Sequence, residues 1–437
     1  MRSVVLAVLL LSFGHVRLVA EKPAATVEAI SYGVDDWPWW RGPQRNGIAS
    51  AQQSPPLTWS ETENVLWKVP VPGRGHGSAT VIGDLVFLAV ADPGREVQSV
   101  LCFDRQTGER VWEAVAHEGN LETGGNKKAS QASSTVAYDG QRLFINFLNN
   151  GAIFTTAFDM SGERLWQTKI SDYVVHQGYG SSPAPFEHLV IVSADNKGGG
   201  AVAALDRKSG DIVWKQSRPA KPNYSSPVIL NVAGKDQLFL TGCDKVTSLD
   251  PLTGSTNWEI EGATTECVTS TVTDGVHIFT SGGYPKNHMA AVVADGSGTV
   301  TWENTVRAYV PSMLCVNGYL FATLDGGFAT CRESATGKEL WKSRLGGTFS
   351  SSPVLMGDRI YATNEEGTTF VFKASPEAFE ELARNKLGES VFATPTISGS
   401  RIYTRVTHQV DGRRQEYLYC LGSSGTTHSP KRADARE

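Results

Sequence analysis

The stretch Phe103-Asp104-Arg105-Gln106-Thr107-Gly108-Glu109-Arg110-Val111-Trp112 decides the fold, because it recurs along the chain. Further copies lie at 205–214, 249–258, 159–166, 295–302 and 333–341. The copies at 159–166 and 295–302 are shortened, and the last copy has Glu in place of Asp. The Trp residues that end the copies are 39 to 54 residues apart. This period is typical of four-stranded propeller blades or of larger solenoid units.

The residue types of the repeat indicate a tight turn followed by an outer strand. Gly accepts a positive φ angle, and Asp or Thr oxygens bond nearby backbone N–H groups. The Trp four residues after the Gly is expected to pack between neighbouring blades. The positions to which we assign this structural role are Trp67, Trp112, Trp166, Trp214, Trp258, Trp302, Trp341, Asp104, Gly108, Asp206, Gly210, Asp250, Gly254 and Gly337.

The segments before each repeat favour a propeller over a solenoid. Each copy follows a small-residue opening, a β-rich stretch, a Gly turn and a second β-rich stretch, as in 351–362. Short strands that alternate with Gly turns indicate antiparallel meanders. The blade openings fall near residues 76, 133, 181, 225, 268, 310, 351 and 393. The sequence therefore predicts an all-β, eight-bladed β-propeller of four-stranded antiparallel blades.

The two ends of the repeat region predict how the ring closes. The segment 64–68 resembles an outer strand with no blade before it, whereas the last unit, 395–421, lacks an outer strand. Pairing of these segments completes the eighth blade and removes the exposed sheet edges. We therefore assign the propeller to residues 64–422.

The flanking segments have different compositions. Arg2 and the apolar run 4–11 are typical of a secretory signal peptide, assigned to 1–20 with cleavage between 20 and 25. No Cys follows the run to accept a lipid, and no later stretch reaches transmembrane length. A periplasmic or secreted protein is expected, in a compartment that permits disulfides. Residues 423–437 are predicted to form a disordered tail.

The leader 21–63 contains Trp37, Trp39 and Trp40 within four residues. Three large rings so close together are expected to pack on the propeller, although an exposed cluster would suit a partner or a sugar. One segment inside the repeat region departs from the pattern. Ser375, Pro376 and the acids at 377, 380 and 381 predict a short helix, because they match an N-cap, a first helical position and an acidic first turn.

Composition excludes several classes of protein. The chain has 437 residues, 40% hydrophobic and 19% charged, with a net charge of -5. This describes a folded protein without the general basic field that nucleic-acid binding requires. The nine His residues show no metal-ligand spacing. A chain of this size needs no second copy for stability, so a monomer is expected.

The repeat, with its Asp-x-x-Thr-Gly-x-x-x-Trp core, resembles that of the quinoprotein (PQQ-like) propeller superfamily. The opening 37–43 with Asn46-Gly47 also resembles the leader of secreted, cofactor-free PQQ-like propellers. The superfamily contains dehydrogenases that bind pyrroloquinoline quinone and BamB-type assembly propellers that bind no cofactor. The resemblance therefore implies the fold and leaves both functions open.

A quinone dehydrogenase of this kind would be expected to have an adjacent Cys pair, calcium ligands and a catalytic Asp. The six cysteines are at 102, 243, 267, 315, 331 and 420, and none is adjacent to another. Cys102, Cys331 and Cys420 occupy equivalent repeat positions on different blades, too far apart for a bridge. Cys243 and Cys267 come from neighbouring segments, and a bridge between them stays open.

The candidate ligand-binding residues are polar side chains on the loops around one end of the axis. They are Arg74, His76, Lys127, Lys128, His176, Tyr179, Tyr224, Glu266, Lys286, His288, Arg307, Tyr309 and Glu365. Converging cations and tyrosines would suit an anionic ligand, although a solvated polar face has the same composition.

The preferred hypothesis is a non-catalytic, BamB-like scaffold that binds protein partners in the cell envelope, with no cofactor and no metal. One alternative is a dehydrogenase for alcohols or sugars that uses pyrroloquinoline quinone with calcium and lacks the usual disulfide. Another is a carbohydrate-binding propeller that uses Tyr and Trp faces.

Overall fold

The computed structural model describes residues 28–423 as eight four-stranded antiparallel sheets whose innermost strands contact one another in a closed ring. The all-β, eight-bladed prediction is confirmed. The predicted signal peptide, its cleavage region and the tail from residue 424 lie outside the described residues. Within 28–423 there is no helix, and hence none long and apolar enough to cross a membrane.

Each blade contributes strands in order from the axis outward. The first four blades are β2 (Thr80–Ile82), β3 (Leu85–Asp92), β4 (Val97–Asp104) and β5 (Arg110–Glu118); β6 (Ala137–Tyr138), β7 (Arg142–Asn149), β8 (Ala152–Asp159) and β9 (Arg164–Asp172); β10 (Ala184–Phe186), β11 (Leu189–Ser193), β12 (Ala201–Asp206) and β13 (Ile212–Ser217); β14 (Val228–Val232), β15 (Lys235–Gly242), β16 (Lys245–Leu249) and β17 (Thr256–Glu261).

The remaining blades follow the same order, and the eighth takes its outer strand from the front of the chain. They are β18 (Val272–Thr273), β19 (His277–Gly282), β20 (His288–Val293) and β21 (Val300–Asn304); β22 (Leu314–Val316), β23 (Tyr319–Leu324), β24 (Phe328–Glu333) and β25 (Glu339–Arg344); β26 (Val354–Met356), β27 (Arg359–Thr363), β28 (Thr368–Lys373) and β29 (Glu381–Lys386); β30 (Thr396–Ser398), β31 (Arg401–Val410), β32 (Arg413–Leu421) and β1 (Val65–Val71).

Pairing of β1 with β32 closes the ring, as predicted. The pairing is antiparallel and sets Trp67 opposite Cys420 and Val71 opposite Glu416. Since the first and last strands share one sheet, the propeller has no broken blade at which it would open.

The repeat Trp residues link consecutive blades. Five of the seven indoles closely cover the glycine turn of the next blade, in the pairs Trp67 with Gly108, Trp112 with Gly162, Trp166 with Gly210, Trp214 with Gly254 and Trp302 with Gly337. The indole N–H usually donates to a turn carbonyl, as from Trp166 to Arg207 at 3.1 Å. Trp258 differs, because its N–H bonds the Gln237 side chain of its own blade.

The hydrophobic core lies between the faces of neighbouring blades. One cluster joins Phe87 and Val100 of the first blade to Leu143 and Phe158 of the second, all nearly inaccessible to solvent. Equivalent clusters fill other blade interfaces. Each Trp on an outer strand pairs with a small residue on the third strand of the same blade. Cys102, Cys331 and Cys420 share one repeat position because each is the small residue opposite a Trp.

The predicted helix near 375–383 is wrong. Residues 375–380 form an irregular connection, and 381–386 are the outer strand β29. The Ser375 hydroxyl does accept the Glu377 N–H, as an N-cap would. Phe379, however, packs on Trp341 and Phe372, with centroids 5.7 and 5.3 Å away. This contact, together with pairing of β29 with β28, stabilises the chain more than one isolated helical turn would.

Candidate functional site

A ring of hydroxyl side chains surrounds the axis where the innermost strands begin. One Ser or Thr comes from each blade, and this hydroxyl ring consists of Ser78, Thr135, Ser182, Ser226, Ser270, Ser312, Ser352 and Thr394. In six of the eight steps a backbone N–H donates to the hydroxyl of the next blade, at 2.9 to 3.1 Å. The hydroxyl ring therefore joins the blades around the axis.

The leader crosses the axis beyond the hydroxyl ring and closes that end. The backbone of Trp37 forms a β-bridge with Val81 of the first blade, and that of Ile48 forms one with Leu355 of the seventh blade. Arg41 is 1% exposed and donates to the carbonyls of Met313 and Pro353, in the sixth and seventh blades. Contacts with both sides of the ring make the leader a plug for one end of the axis.

The other end of the axis is an open cavity of about 330 Å³. Trp40 forms its floor, and the Trp40 indole N–H donates to Ser270 of the hydroxyl ring at 2.8 Å. The side chains that line it are Trp40, His76, Asn126, Lys128, Ala129, Ser133, Gln177, Tyr179, Ser182, Tyr224, Ser226, Val268, Tyr309, Val310, Ser350, Ser352, Phe392 and Thr394. The lining is thus rich in aromatic rings and hydroxyl groups.

A buried carboxylate lies behind one wall of the cavity. Glu266 is 1% exposed and accepts a hydrogen bond from the Tyr309 hydroxyl at 2.8 Å. Its other oxygen lies 3.1 Å from His176 Nε2. Burial, together with Glu266, raises the pKa of Tyr309 above its usual value. Tyr309 is therefore a neutral hydroxyl that separates the carboxylate from the cavity.

His76 occupies the opposite wall and stacks on Phe392, with ring centroids 4.6 Å apart. Burial, reinforced by Arg74, Arg405 and Arg414, holds the pKa of His76 well below its usual value. The imidazole is therefore neutral at neutral pH. Its Nε2 is buried and has no hydrogen-bond partner among the described residues.

An ion pair spans part of the mouth. Lys128, on the connection from β5 to β6, lies 2.6 Å from Glu365 of the seventh blade. Glu365 also accepts a hydrogen bond from Ser350 at 2.6 Å. Because Lys128 is paired, it brings no unbalanced charge to the lining.

The structure brings together some of the predicted site residues and separates others. His76, Lys128, Tyr179, Tyr224 and Tyr309 line the axial cavity. Arg74 and Lys127 line an adjoining cavity of about 420 Å³ that shares Asn126 and Tyr179 with the first.

The other candidates lie outside both linings. Glu266 is bonded by Tyr309 and lies 3.1 Å from the partly exposed His176, while Arg307 lies 5.4 Å from the Tyr309 ring centroid. Glu365 is the partner of Lys128. His288 pairs with Glu303 on the outer strand of its blade, and Lys286 is exposed.

The sequence alone did not identify the residue that forms the floor of the axial cavity or several residues of its wall. The Trp cluster that includes Trp40 is expected to pack on the propeller, with a partner or a sugar as the alternative if it is exposed. Gln177, Phe392 and the hydroxyl ring are not among the predicted site residues. A signal for the ring was present, because a Ser or Thr recurs at each blade opening. Trp40 and Phe392 carry no such signal, since the fold alone brings them to the axis.

The cysteines form no bridge in the structure. All six are buried and free, so Cys243 and Cys267 are not paired. Burial raises the pKa of Cys102 and of Cys267 to about 12. Each thiol is therefore protonated and unreactive at neutral pH.

The residues present do not fit the calcium and quinone site that the resemblance implies for a dehydrogenase. The cavity lining contains no Asp or Glu, whereas calcium requires several oxygen ligands. Within 28–423, no three His, Cys, Asp or Glu side chains are grouped so as to hold a metal ion.

Comparison with known proteins identifies relatives over most of the propeller. A family model described as outer membrane protein assembly factor BamB matches residues 41–172, 96–333, 285–375 and 330–417. The chain is similar to polyvinylalcohol dehydrogenase of a Pseudomonas species, 28% identical over 46% of this chain and 32% of that protein. It is also similar to tetrathionate hydrolase of Acidithiobacillus ferrooxidans, with 24% identity over 70% of this chain and 66% of that protein.

A third relative is outer membrane protein assembly factor BamB of Bordetella pertussis, 23% identical over 68% of this chain and 72% of that protein. The chain spans about a third of the length of the first relative and 66% of the second.

Solved structures share the fold. BamB from Moraxella catarrhalis has a TM-score of 0.59 at 13% identity, covering 81% of this chain and 99% of that one. A europium-containing methanol dehydrogenase has a TM-score of 0.65 at 11% identity, and the match covers 89% of this chain and 98% of that one. Quinohemoprotein alcohol dehydrogenase from Comamonas testosteroni has a TM-score of 0.65 at 12% identity, and the match covers 92% of this chain and 82% of that one. Since BamB and the dehydrogenases share the architecture, the site residues must distinguish between functions.

Proposed function

The chain belongs to the family of outer membrane protein assembly factor BamB, and we propose that it is a non-catalytic propeller that binds a protein partner in the cell envelope. The proposed location is the periplasm or the exterior, and the proposed state is a monomer. Loops at the open end of the axis form the binding face.

The observation that carries this proposal is the connection 119–136 between β5 and β6. It is the longest connection from one blade to the next, and Thr123–Lys128 within it are exposed. Lys127 has no ion-pair partner among the described residues. A firmly anchored, exposed loop with an unpaired cation is suited to contact another protein.

Anchoring of this connection limits the ordering cost of binding. The Asn126 side chain donates to the Gln177 side chain, and the Asn126 backbone N–H donates to the Gln177 carbonyl, both at 2.9 Å. Arg74 donates to the Lys128 carbonyl at 2.9 Å. A loop held in one conformation loses less entropy when a partner binds.

Site-specific crosslinking tests the proposal. A photoreactive amino acid at position 127 is expected to capture a discrete partner from living cells, because the side chain projects from the binding face. The same group at Leu252, exposed on a turn at the opposite end of the blades, is the matched control. Equal capture at both positions, or none at 127, would contradict the proposal.

A separate assay addresses the dehydrogenase alternative. The purified chain is incubated with pyrroloquinoline quinone and calcium, and dye-linked oxidation of alcohols and sugars is measured. We expect no stoichiometric binding and no turnover, since the lining supplies no carboxylate. Stoichiometric cofactor with turnover would replace the scaffold proposal by the enzyme.

A further inference from the structure

The axial cavity has three features that together define the chemistry of a ligand: it is closed at one end, its lining is uncharged overall, and buried polar atoms in it lack partners. We propose that it binds a neutral carbohydrate of one or two sugar rings. This inference goes beyond partner binding and is independent of it.

The closed end restricts the size of the ligand. The leader plugs the axis beyond Trp40, so that entry is from the mouth alone. A volume of about 330 Å³ lies at the lower end of the range of small-molecule pockets. A folded domain is too large to enter, whereas a free sugar or the end of a glycan chain fits.

The charge of the lining favours a neutral ligand. His76 is neutral, and Lys128 is balanced by Glu365 at 2.6 Å. Burial raises the pKa values of Tyr179, Tyr224 and Tyr309, which keeps the three side chains as hydroxyls. An anion would find no unpaired cation in the lining, and a cation would find no carboxylate.

Two residues of the cavity walls have a buried polar atom that makes no hydrogen bond. The Tyr224 hydroxyl and His76 Nε2 have no hydrogen-bond partner within the part of the chain that the structure describes. Buried polar groups are normally paired, so each requires a ligand or a water molecule. Because both atoms are buried, a small rotation of each side chain is needed to bring it to a ligand in the cavity. A sugar hydroxyl both donates and accepts, and can then bond either atom.

The apolar part of the lining suits the faces of a sugar ring. Trp40 forms the floor, Phe392 stacks on His76, and Val268 and Val310 are further apolar residues of the lining. One face of a pyranose presents C–H groups, which pack on aromatic surfaces, while its edge presents hydroxyls. A pocket with mostly apolar walls and a few placed polar groups is the usual form of a specific small-molecule site.

A saccharide-binding assay with matched variants tests the inference. Neutral mono- and disaccharides, neutral glycan chains, and acidic sugars are compared by calorimetry and on an array. We expect neutral sugars to bind, with Tyr224→Phe weakening binding by roughly 3- to 10-fold because it removes only the unpartnered hydroxyl. Phe392→Leu should weaken it as well. Tyr319→Phe, at the start of β23 outside the cavity, is the matched control.

The outcomes separate cleanly. Binding of free sugars would identify a soluble ligand, and binding of chains alone would identify a glycan end. Absence of binding up to millimolar concentrations overturns the inference, as does binding restricted to acidic sugars. Equal affinities in Tyr224→Phe, Phe392→Leu and the control would also overturn it. Circular dichroism of each variant verifies folding, and capture through position 127 reports separately on the scaffold proposal.

Discussion

At the scale of single residues, the contact between a Trp and the next glycine turn makes the repeat recognisable. The turn requires a positive φ, which is 78° at Gly210, and the indole lies where a side chain would project. Glycine is therefore required twice, once for the backbone and once for the approach of the ring. Both requirements are local, which is why the motif is visible in the sequence.

Gly210→Ala, compared with Gly234→Ala, separates the need for space beside the indole ring from the need for a positive φ angle. A Cβ at this position would lie 2.5 Å from the Trp166 ring, whereas Gly234, with a φ of 76°, has open space around it. We expect Gly210→Ala to lower the free energy of unfolding by about 1–3 kcal/mol more than Gly234→Ala, because overpacking adds to the shared backbone strain. Urea denaturation measures the difference. Equal losses would show that the indole contact is unimportant.

We expect His117 to make the stability of the fold depend on pH. It packs against Phe147 and Phe154, and burial, aided by Arg164, lowers its pKa to about 4. Between pH 6.5 and 4 the unfolded chain therefore binds a proton that the folded chain does not, so this contribution to stability falls as the pH falls. We expect His117→Gln to flatten the dependence of the urea midpoint on pH in that window. His188→Gln, before β11, is the matched control; an equally flattened curve for it would refute the assignment.

At the scale of elements, the leader and the seventh blade show how tertiary contacts alter local preferences. The seventh blade has Ala383 where other blades have a Trp, and the eighth blade has no glycine turn for a Trp to cover. The leader occupies this region instead: Trp59 stacks on Tyr361, and its backbone N–H donates to Asn385. The irregularity in the repeat thus follows from the closure of the ring.

Arg41 is expected to anchor the leader. Its guanidinium donates to carbonyls of Met313, Pro353 and Asn46, and burial lowers its pKa to about 9. Arg41→Ala leaves buried acceptors without a donor, and we expect stability to fall by at least about 2 kcal/mol. Limited proteolysis should then cut within 28–63. The exposed Arg413→Ala is the control, and a leader that stays resistant in Arg41→Ala would contradict this role.

At the scale of the whole molecule, closure by β1 makes the propeller a single cooperative unit. The strand covers the edge of β32 and completes the Trp67 contact with the first blade. Neighbouring blades share their cores, so a blade with a missing strand weakens the interface on either side. Stability of the ring is therefore coupled to the front of the chain.

A pair of truncations measures this coupling. A chain that begins at Pro72 lacks β1 and the leader, and one that begins at Asn64 lacks the leader alone. We expect the first to unfold on the order of 10 °C below the second, because it loses the contacts of Trp67 as well. Removal of 424–437 should have no effect. Thermal scanning with light scattering measures all three, and equal unfolding temperatures for the chains that begin at 64 and 72 would contradict closure by β1.

The sequence by itself determined the blade count, the turns and the outer-strand Trp residues, because each rests on a spacing that repeats locally. It also determined the closing strand, because the same repeat shows one outer strand too many at the front and one too few at the end. It also located several polar residues at one end of the axis. Tertiary structure alone decided which of these face the cavity, that Trp40 forms its floor, that Phe379 replaces a helix, and that Arg41 bonds carbonyls from two blades. Those outcomes depend on contacts that cross between repeats, most of them between segments hundreds of residues apart, and no local period encodes such contacts.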